Sequence, residues 1–122
     1  MSILIVVAHS DDESIGMGGT IARHVHAGEK VYGAYLTNGV GARGKNQEGS
    51  SSRALAADCA AKELGFEWIG KFDFPDNCLD SIELLAIVKA IEEVKQKVKP
   101  SIVYTHHFGD LNIDHKVVFE AT

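Results

Sequence analysis

The chain has 122 residues, 45% of them apolar, and 12 Lys and Arg against 17 Asp and Glu give a formal net charge of −5. That length supports one domain with one core, and that apolar fraction argues against disorder. The acidic balance and the scatter of the basic residues speak against a nucleic-acid partner, and no run approaches the roughly 18 apolar residues of a membrane span.

Ile3 to Ala8 is a continuous apolar run rich in β-branched residues, as expected of a strand covered on both faces in a parallel sheet. It is too short and too acidic at its exit to read as a signal peptide. A cytoplasmic protein is therefore expected, with Cys59 and Cys78 as buried or free thiols rather than a disulfide. Ser14 to Ala27 reads as a helix with Ile15, Ala22 and Val25 on one face, stopped by Gly28. Its glycines, Gly16, Gly18 and Gly19, suggest close approach to the sheet. They do not suggest a dinucleotide fingerprint, because the strand-to-helix turn is acidic and Ile21 stands where the third glycine belongs. His24 and His26 read as solvated.

Lys30 to Thr37 is a second strand. Residues 38–52 read as a long, Gly- and Ser-rich loop, of the kind that is often functional. Arg53 to Leu64 is an Ala-rich helix with serines before it and Gly65 after it. Glu67 to Gly70 is a short third strand and "FPDN" a turn. Asp80 with Glu83 forms a capping pattern for a helix running to about Val98, with Leu84, Ile87, Val88, Ile91, Val94 and Val98 as its buried stripe. Pro100 ends it. Ser101 to Thr105 is a fourth strand, residues 106–114 a loop, and a last helix begins near His115.

Alternating strands and helices predict an α/β fold, a Rossmann-like three-layer sandwich with a mostly parallel sheet in the order 3-2-1-4. Ligands in such sheets bind beyond the carboxyl ends of the strands, where strand order reverses. The two strands flanking that point end in "AHSDDE" and "THHFGDLNIDH". Crowded carboxylates there call for a cation or a helix N-terminus, although Asp, Ser and Glu are also ordinary capping residues. Two imidazoles and one carboxylate would give a catalytic zinc three protein ligands with a position left for water. His9, Asp12 and His115 are the expected set. Asp11 is the spare carboxylate, placed as general base. Glu13 is left to cap the helix or to orient a ligand histidine, and Asp114 to orient a histidine of its own loop.

The motifs "AHSDDE", "LTNG", "FPDNCL" and "GDLNIDH", in that order across nearly the whole chain, resemble the PIG-L/LmbE-like N-deacetylases. The resemblance implies a zinc-dependent enzyme that removes acetyl groups from N-acetylglucosaminyl substrates, with metal ligands at His9, Asp12 and His115 and a general base at Asp11. It also implies that Arg53 reaches the substrate, although Ala56 stands where an acid is common in the family. The family's "HPDDE" proline is Ser10 here, and Asn112 occupies the place of a histidine that stabilises the tetrahedral intermediate. Asn donates a hydrogen bond but supplies no proton, so either Asn112 acts alone or His106 or His107 provides the acid. Family domains are longer, so residues 1–122 read as one deacetylase-like domain and an N-terminal fragment of a longer one.

The expected partner is a small N-acetyl amino-sugar conjugate, with homo-oligomerisation left open. Zinc is the expected cofactor, with other divalent ions fitting the same ligand types. Two rival readings stand beside deacetylation: a metal- or sugar-binding module without turnover, and an Fe(II) redox enzyme on the same ligands.

Overall fold

A computed structural model describes residues 1–38 and 47–122. Four strands, β1 (Ser2–His9), β2 (Lys30–Thr37), β3 (Glu67–Lys71) and β4 (Ile102–Tyr104), alternate with four helices, α1 (Asp12–His26), α2 (Gln47–Leu64), α3 (Leu84–Val98) and α4 (Ile113–Ala121). The sheet runs β3-β2-β1-β4 and every pairing is parallel. No helix among the described residues is long and apolar enough to cross a membrane.

The unbroken hydrophobicity of β1 has a direct cause. Ile3, Ile5 and Val7 point into a core with Ile21, Ala57, Ala61, Phe66 and Trp68, whereas Leu4, Val6 and Ala8 point into one with Ile87, Ile91, Val94, Val117 and Val118. Alternate side chains of one strand thus serve two layers, α1 and α2 on one face and α3 and α4 on the other. The indole of Trp68 donates to the carbonyl of Ala57 at 3.0 Å and ties β3 to α2. Lys99 closes α3 in the left-handed conformation (φ 48°) just before Pro100.

Several local expectations change. α2 begins at Gln47, so the serines before Arg53 lie inside the helix rather than capping it, and residues 39–46 of the expected loop lie outside the described residues. Asp80 and Glu83 form no capping box: Leu79–Ser81 is a separate 3-10 turn, and Glu83 precedes α3 without a side-chain cap. The α3 stripe holds for Ile87, Ile91 and Val94, with Ala90 joining them, while Leu84 is exposed and Val88 and Val98 are half-buried.

In α1 the buried face carries Glu13 and Ile21, whereas Ile15 is exposed. Met17 leaves helical geometry there (φ −148°), so the kink rotates the face away from simple 3.6-residue spacing. A Cβ at Gly16 or Gly19 would meet nothing within 4 Å, so these glycines do not serve close approach. Gly70 does: a Cβ there would lie 2.8 Å from Val94 Cγ2 and 2.9 Å from Ala34 Cβ. Gly70→Ala is expected to lower stability by roughly 1–3 kcal/mol through overpacking, read from the denaturant midpoint.

Candidate active site

β1 delivers His9 to the carboxyl edge of the sheet, and Asp11 and Asp12 follow at the N-terminus of α1. β4 lies beside β1, with Tyr104 opposite Ile5, so the segment after β4 returns to the same edge. There the amide of Ala8 donates to His106 Nε2 at 2.8 Å. The first turn of α4 then places Asp114 and His115 against His9.

The three expected metal ligands come together. Asp12 Oδ2 lies 3.2 Å from His9 Nδ1 and 3.0 Å from His115 Nε2, and the two ring nitrogens are 3.3 Å apart. Ligand atoms held at zinc's usual N and O bond lengths in tetrahedral geometry sit about 3.3 Å from one another, so this triangle fits such an ion. The far nitrogen of each ring is occupied by a carboxylate. His9 Nε2 faces Asp114 Oδ2 at 2.9 Å and Asp76 Oδ1 at 3.1 Å, and His115 Nδ1 faces Asp110 Oδ2 at 2.8 Å. A proton on each far nitrogen satisfies those contacts and leaves both near nitrogens with a lone pair aimed into the triangle.

Two other groups, His106, Asp110 and His115, and His9, Asp76 and Asp114, also have ligand atoms close together. Both use acids that already face the outer nitrogen of His9 or His115, and His106 Nε2 already accepts from Ala8. The first triangle is therefore the better cation site.

Asp114 is wholly buried. Its Oδ2 also accepts from the Asn77 amide at 2.7 Å, and its Oδ1 accepts from the Leu79 amide at 3.1 Å. It orients a histidine on β1, not one in its own loop. Sequence reasoning gave Asp76 and Asp110 no role. The alternation of Asp and His in "GDLNIDH", together with the acid in "FPDNCL", was the available signal.

Burial lowers the His9 pKa, but hydrogen bonds and charge from Asp12 and Asp114 outweigh it and raise the ring to about 9. Burial raises Asp12, and its contacts with His9 and His115 prevail and lower it. His106 is pushed down to about 4 by burial and by the neighbouring charge of His115, on whose ring it stacks at 3.8 Å. Asp110 is lowered by the Asn112 amide and by His115.

A raised histidine stabilises the metal-free fold fully below its unfolded value near 6.5, and that contribution is lost as pH rises through about 9. Metal-free protein is therefore expected to lose stability on the order of 2–3 kcal/mol between those pH values, measured by chemical denaturation. Divalent-metal affinity should rise over the same interval as the proton is displaced.

Asp11 sits at the N-cap of α1 without capping it, and its Oδ2 pairs with Arg53 Nη2 at 2.9 Å. Arg53 Nε has no partner among the described residues. Asn112 caps α4: its Oδ1 accepts from the amides of Asp114 and His115 at 3.0 and 3.2 Å. His107 is exposed and accepts from the Gly109 amide. Glu13 is wholly buried, its pKa is raised by that burial, and its carboxylate accepts from the Ser14 hydroxyl and from its own first-turn amide rather than reaching a histidine of the triangle. His24 is not solvated, because its ring joins Glu29 to the Tyr104 hydroxyl. Cys59 and Cys78 are free and exposed.

Two clefts flank the triangle. One of about 170 Å³ lies among Ser10, Tyr35, Asn38, Ala54, Lys71 and Asp73. The other, of about 380 Å³, runs along β1, α1 and the end of β4 past Asp12 and His106. A larger one, about 430 Å³, sits at the end of α3 beside Pro100, far from these side chains.

The sequence profile of the PIG-L: GlcNAc-PI de-N-acetylase family matches residues 4–122. The chain is 28% identical over 125 residues to the "Uncharacterized deacetylase YaiS" of Escherichia coli (strain K12), covering 98% of this chain and 65% of that protein. Its fold resembles the crystal structure of GalB, the 4-carboxy-2-hydroxymuconate hydratase of Pseudomonas putida KT2440, with a TM-score of 0.83 and 26% identity over 98% of this chain and 53% of that one. It also resembles the N,N'-diacetylchitobiose deacetylase of Pyrococcus horikoshii, with a TM-score of 0.84 and 23% identity over 98% of this chain and 47% of that one. The chain thus spans about half to two-thirds of the length of these relatives. With its motifs in order and its profile matched from Leu4 to the last residue, the chain belongs to the PIG-L: GlcNAc-PI de-N-acetylase family.

Proposed function

We propose that the chain carries the metal centre of a zinc-dependent deacetylase acting on the N-acetyl group of an N-acetylglucosamine-type conjugate. The observation that carries this reading is the triangle of His9 Nδ1, Asp12 Oδ2 and His115 Nε2, with sides of 3.0–3.3 Å and carboxylates behind both rings. Zinc held there would polarise an amide carbonyl and acidify a water. Asp11, one residue from the ligand Asp12 but turned away toward Arg53, takes a proton from the attacking water. The Asn112 amide nitrogen, left free when Oδ1 caps the helix, donates to the developing oxyanion.

His106 does not fit the role of acid, because its Nε2 already accepts a backbone hydrogen bond and its pKa is low. Exposed His107 accepts from the Gly109 amide through Nδ1 and lies against Phe108 rather than against the triangle. Asp11 therefore returns its proton to the leaving nitrogen as the C–N bond breaks. Arg53 swings from Asp11 to substrate oxygens, and the cleft that sets Asn38, Lys71 and Asp73 beside the rings of Tyr35 and Phe72 suits a sugar.

The test is metal content by elemental analysis together with amine release from N-acetylglucosamine conjugates. Stoichiometric zinc with release supports the reading, and protein that binds no metal overturns it. Metal binding without release would favour a binding module. Similarity to the hydratase favours a second reading, water addition to an unsaturated carboxylic acid by the same centre. Loss of ultraviolet absorbance from such a diene acid, with no amine release, would select it. In either case His115→Ala is expected to weaken zinc binding by at least roughly 100-fold, since one of three ligands goes, as measured by chelator competition.

A further inference from the structure

Asn112 stands where the resemblance leads one to expect a catalytic side chain, yet its contacts describe a different task. The six residues from Asp110 to His115 form a closed hydrogen-bonded unit. Asp110 Oδ1 accepts from the Asn112 amide at 2.9 Å, and Asp110 Oδ2 faces His115 Nδ1 at 2.8 Å. Asn112 Oδ1 accepts from the amides of Asp114 and His115, at 3.0 and 3.2 Å. Asp114 then reaches out of the unit to His9 on β1 and to the backbone of residues 77 and 79. One side-chain oxygen therefore fixes the first turn of α4, and that turn carries both the third ligand and the acid that aims the first.

We infer that Asn112 is a positioning residue of the metal centre, acting through its helix cap on His115 directly and on His9 through Asp114. This rests on the metal reading proposed above. α4 is a short helix of nine residues, and short helices hold little stability of their own. Its first amides have no partner within the helix, so their direction depends on the cap. Without Oδ1 the first turn frays, and His115 Nε2 no longer stays 3.0 Å from Asp12 Oδ2. The two halves of the amide divide the labour. The oxygen is committed to the backbone, which fixes the orientation of the amide and leaves only the nitrogen for an oxyanion.

The experiment compares Co²⁺ affinity, by chelator competition, and the Co²⁺ visible spectrum in wild type, Asn112→Ala, Asn112→Asp, Asn112→Ser and Glu120→Gly. Asp and Ser keep a capping oxygen and lose the amide nitrogen. Glu120, exposed in the last turn of α4, controls for general loss of helix stability. Asn112→Ala is expected to bind Co²⁺ roughly 10- to 100-fold more weakly, as for loss of other supports behind a metal ligand, with an altered spectrum. Asn112→Asp and Asn112→Ser are expected to stay within about threefold of wild type. Glu120→Gly is expected to lose melting temperature but not affinity. Asn112→Ala binding as wild type does, or Asn112→Asp and Asn112→Ser binding as weakly as Asn112→Ala, would overturn the inference while leaving the metal reading intact. A wild type that binds no Co²⁺ overturns both.

Discussion

Replacing Asp114 with alanine is expected to lower the unfolding free energy by roughly 3–5 kcal/mol and divalent-metal affinity by roughly 10- to 100-fold. The side chain is wholly buried and accepts from His9 Nε2 and from the amides of Asn77 and Leu79. Removing it leaves the buried Leu79 amide unpaired, at about 1–3 kcal/mol for such a donor, takes the side-chain acceptor from the Asn77 amide, and leaves His9 Nε2 with Asp76 alone. It also frees the His9 ring to turn, so the near nitrogen no longer faces Asp12. Asp114→Asn is the sharper version: nearly the same volume remains, but a donor NH₂ is set against at least one of those donors. Denaturant unfolding of metal-free protein measures the first effect, and chelator competition the second. Unchanged values for both would remove Asp114 from the account.

Asp11→Asn is expected to leave metal affinity within about threefold of wild type and to reduce turnover by roughly 10²- to 10⁴-fold, the usual worth of a general base. Asp11 precedes Asp12 in the chain but is not part of the His9–Asp12–His115 triangle, and its Oδ2 pairs with Arg53 Nη2 at 2.9 Å. Asparagine keeps the size and the hydrogen-bonding oxygen but cannot accept a proton. The pair is also half-exposed, so its loss should cost stability only about 0–1 kcal/mol. A large loss of turnover with bound metal and unchanged stability would identify a chemical rather than a structural role. Turnover at the wild-type rate would assign the base elsewhere.

The layered fold was legible because its signals are local. The apolar run of β1 could only be a strand buried on both faces, and the alternation of strands and helices then left few topologies. What was misread turned on tertiary override. The spacing of Ile15, Ala22 and Val25 assumed an unbroken helix, and the kink at Met17 turned Ile15 outward. Asp80 and Glu83 satisfied a capping pattern whose backbone instead makes a 3-10 turn before Glu83. His24 looked solvated because nothing in its neighbourhood along the chain announces Tyr104, 80 residues away.

The same division applies to the site. Residue types and spacing pointed to His9, Asp12 and His115 as the meeting point of two strand ends, since only a few side chains hold a divalent ion and the topology puts those ends side by side. A parallel sheet with its chemistry at one edge could likewise be read along the chain. Which nitrogen of each ring faces the centre is set by contacts between distant segments. That choice depends on Asp114 reaching His9 across 105 positions and on Asp110 holding His115 from behind. Folding also brings Asp11 to Arg53 and commits the Asn112 oxygen to the helix backbone. Hydrogen-bond direction is set by distances of a few tenths of an ångström between segments far apart in the chain, and no pattern along a single sequence records those distances.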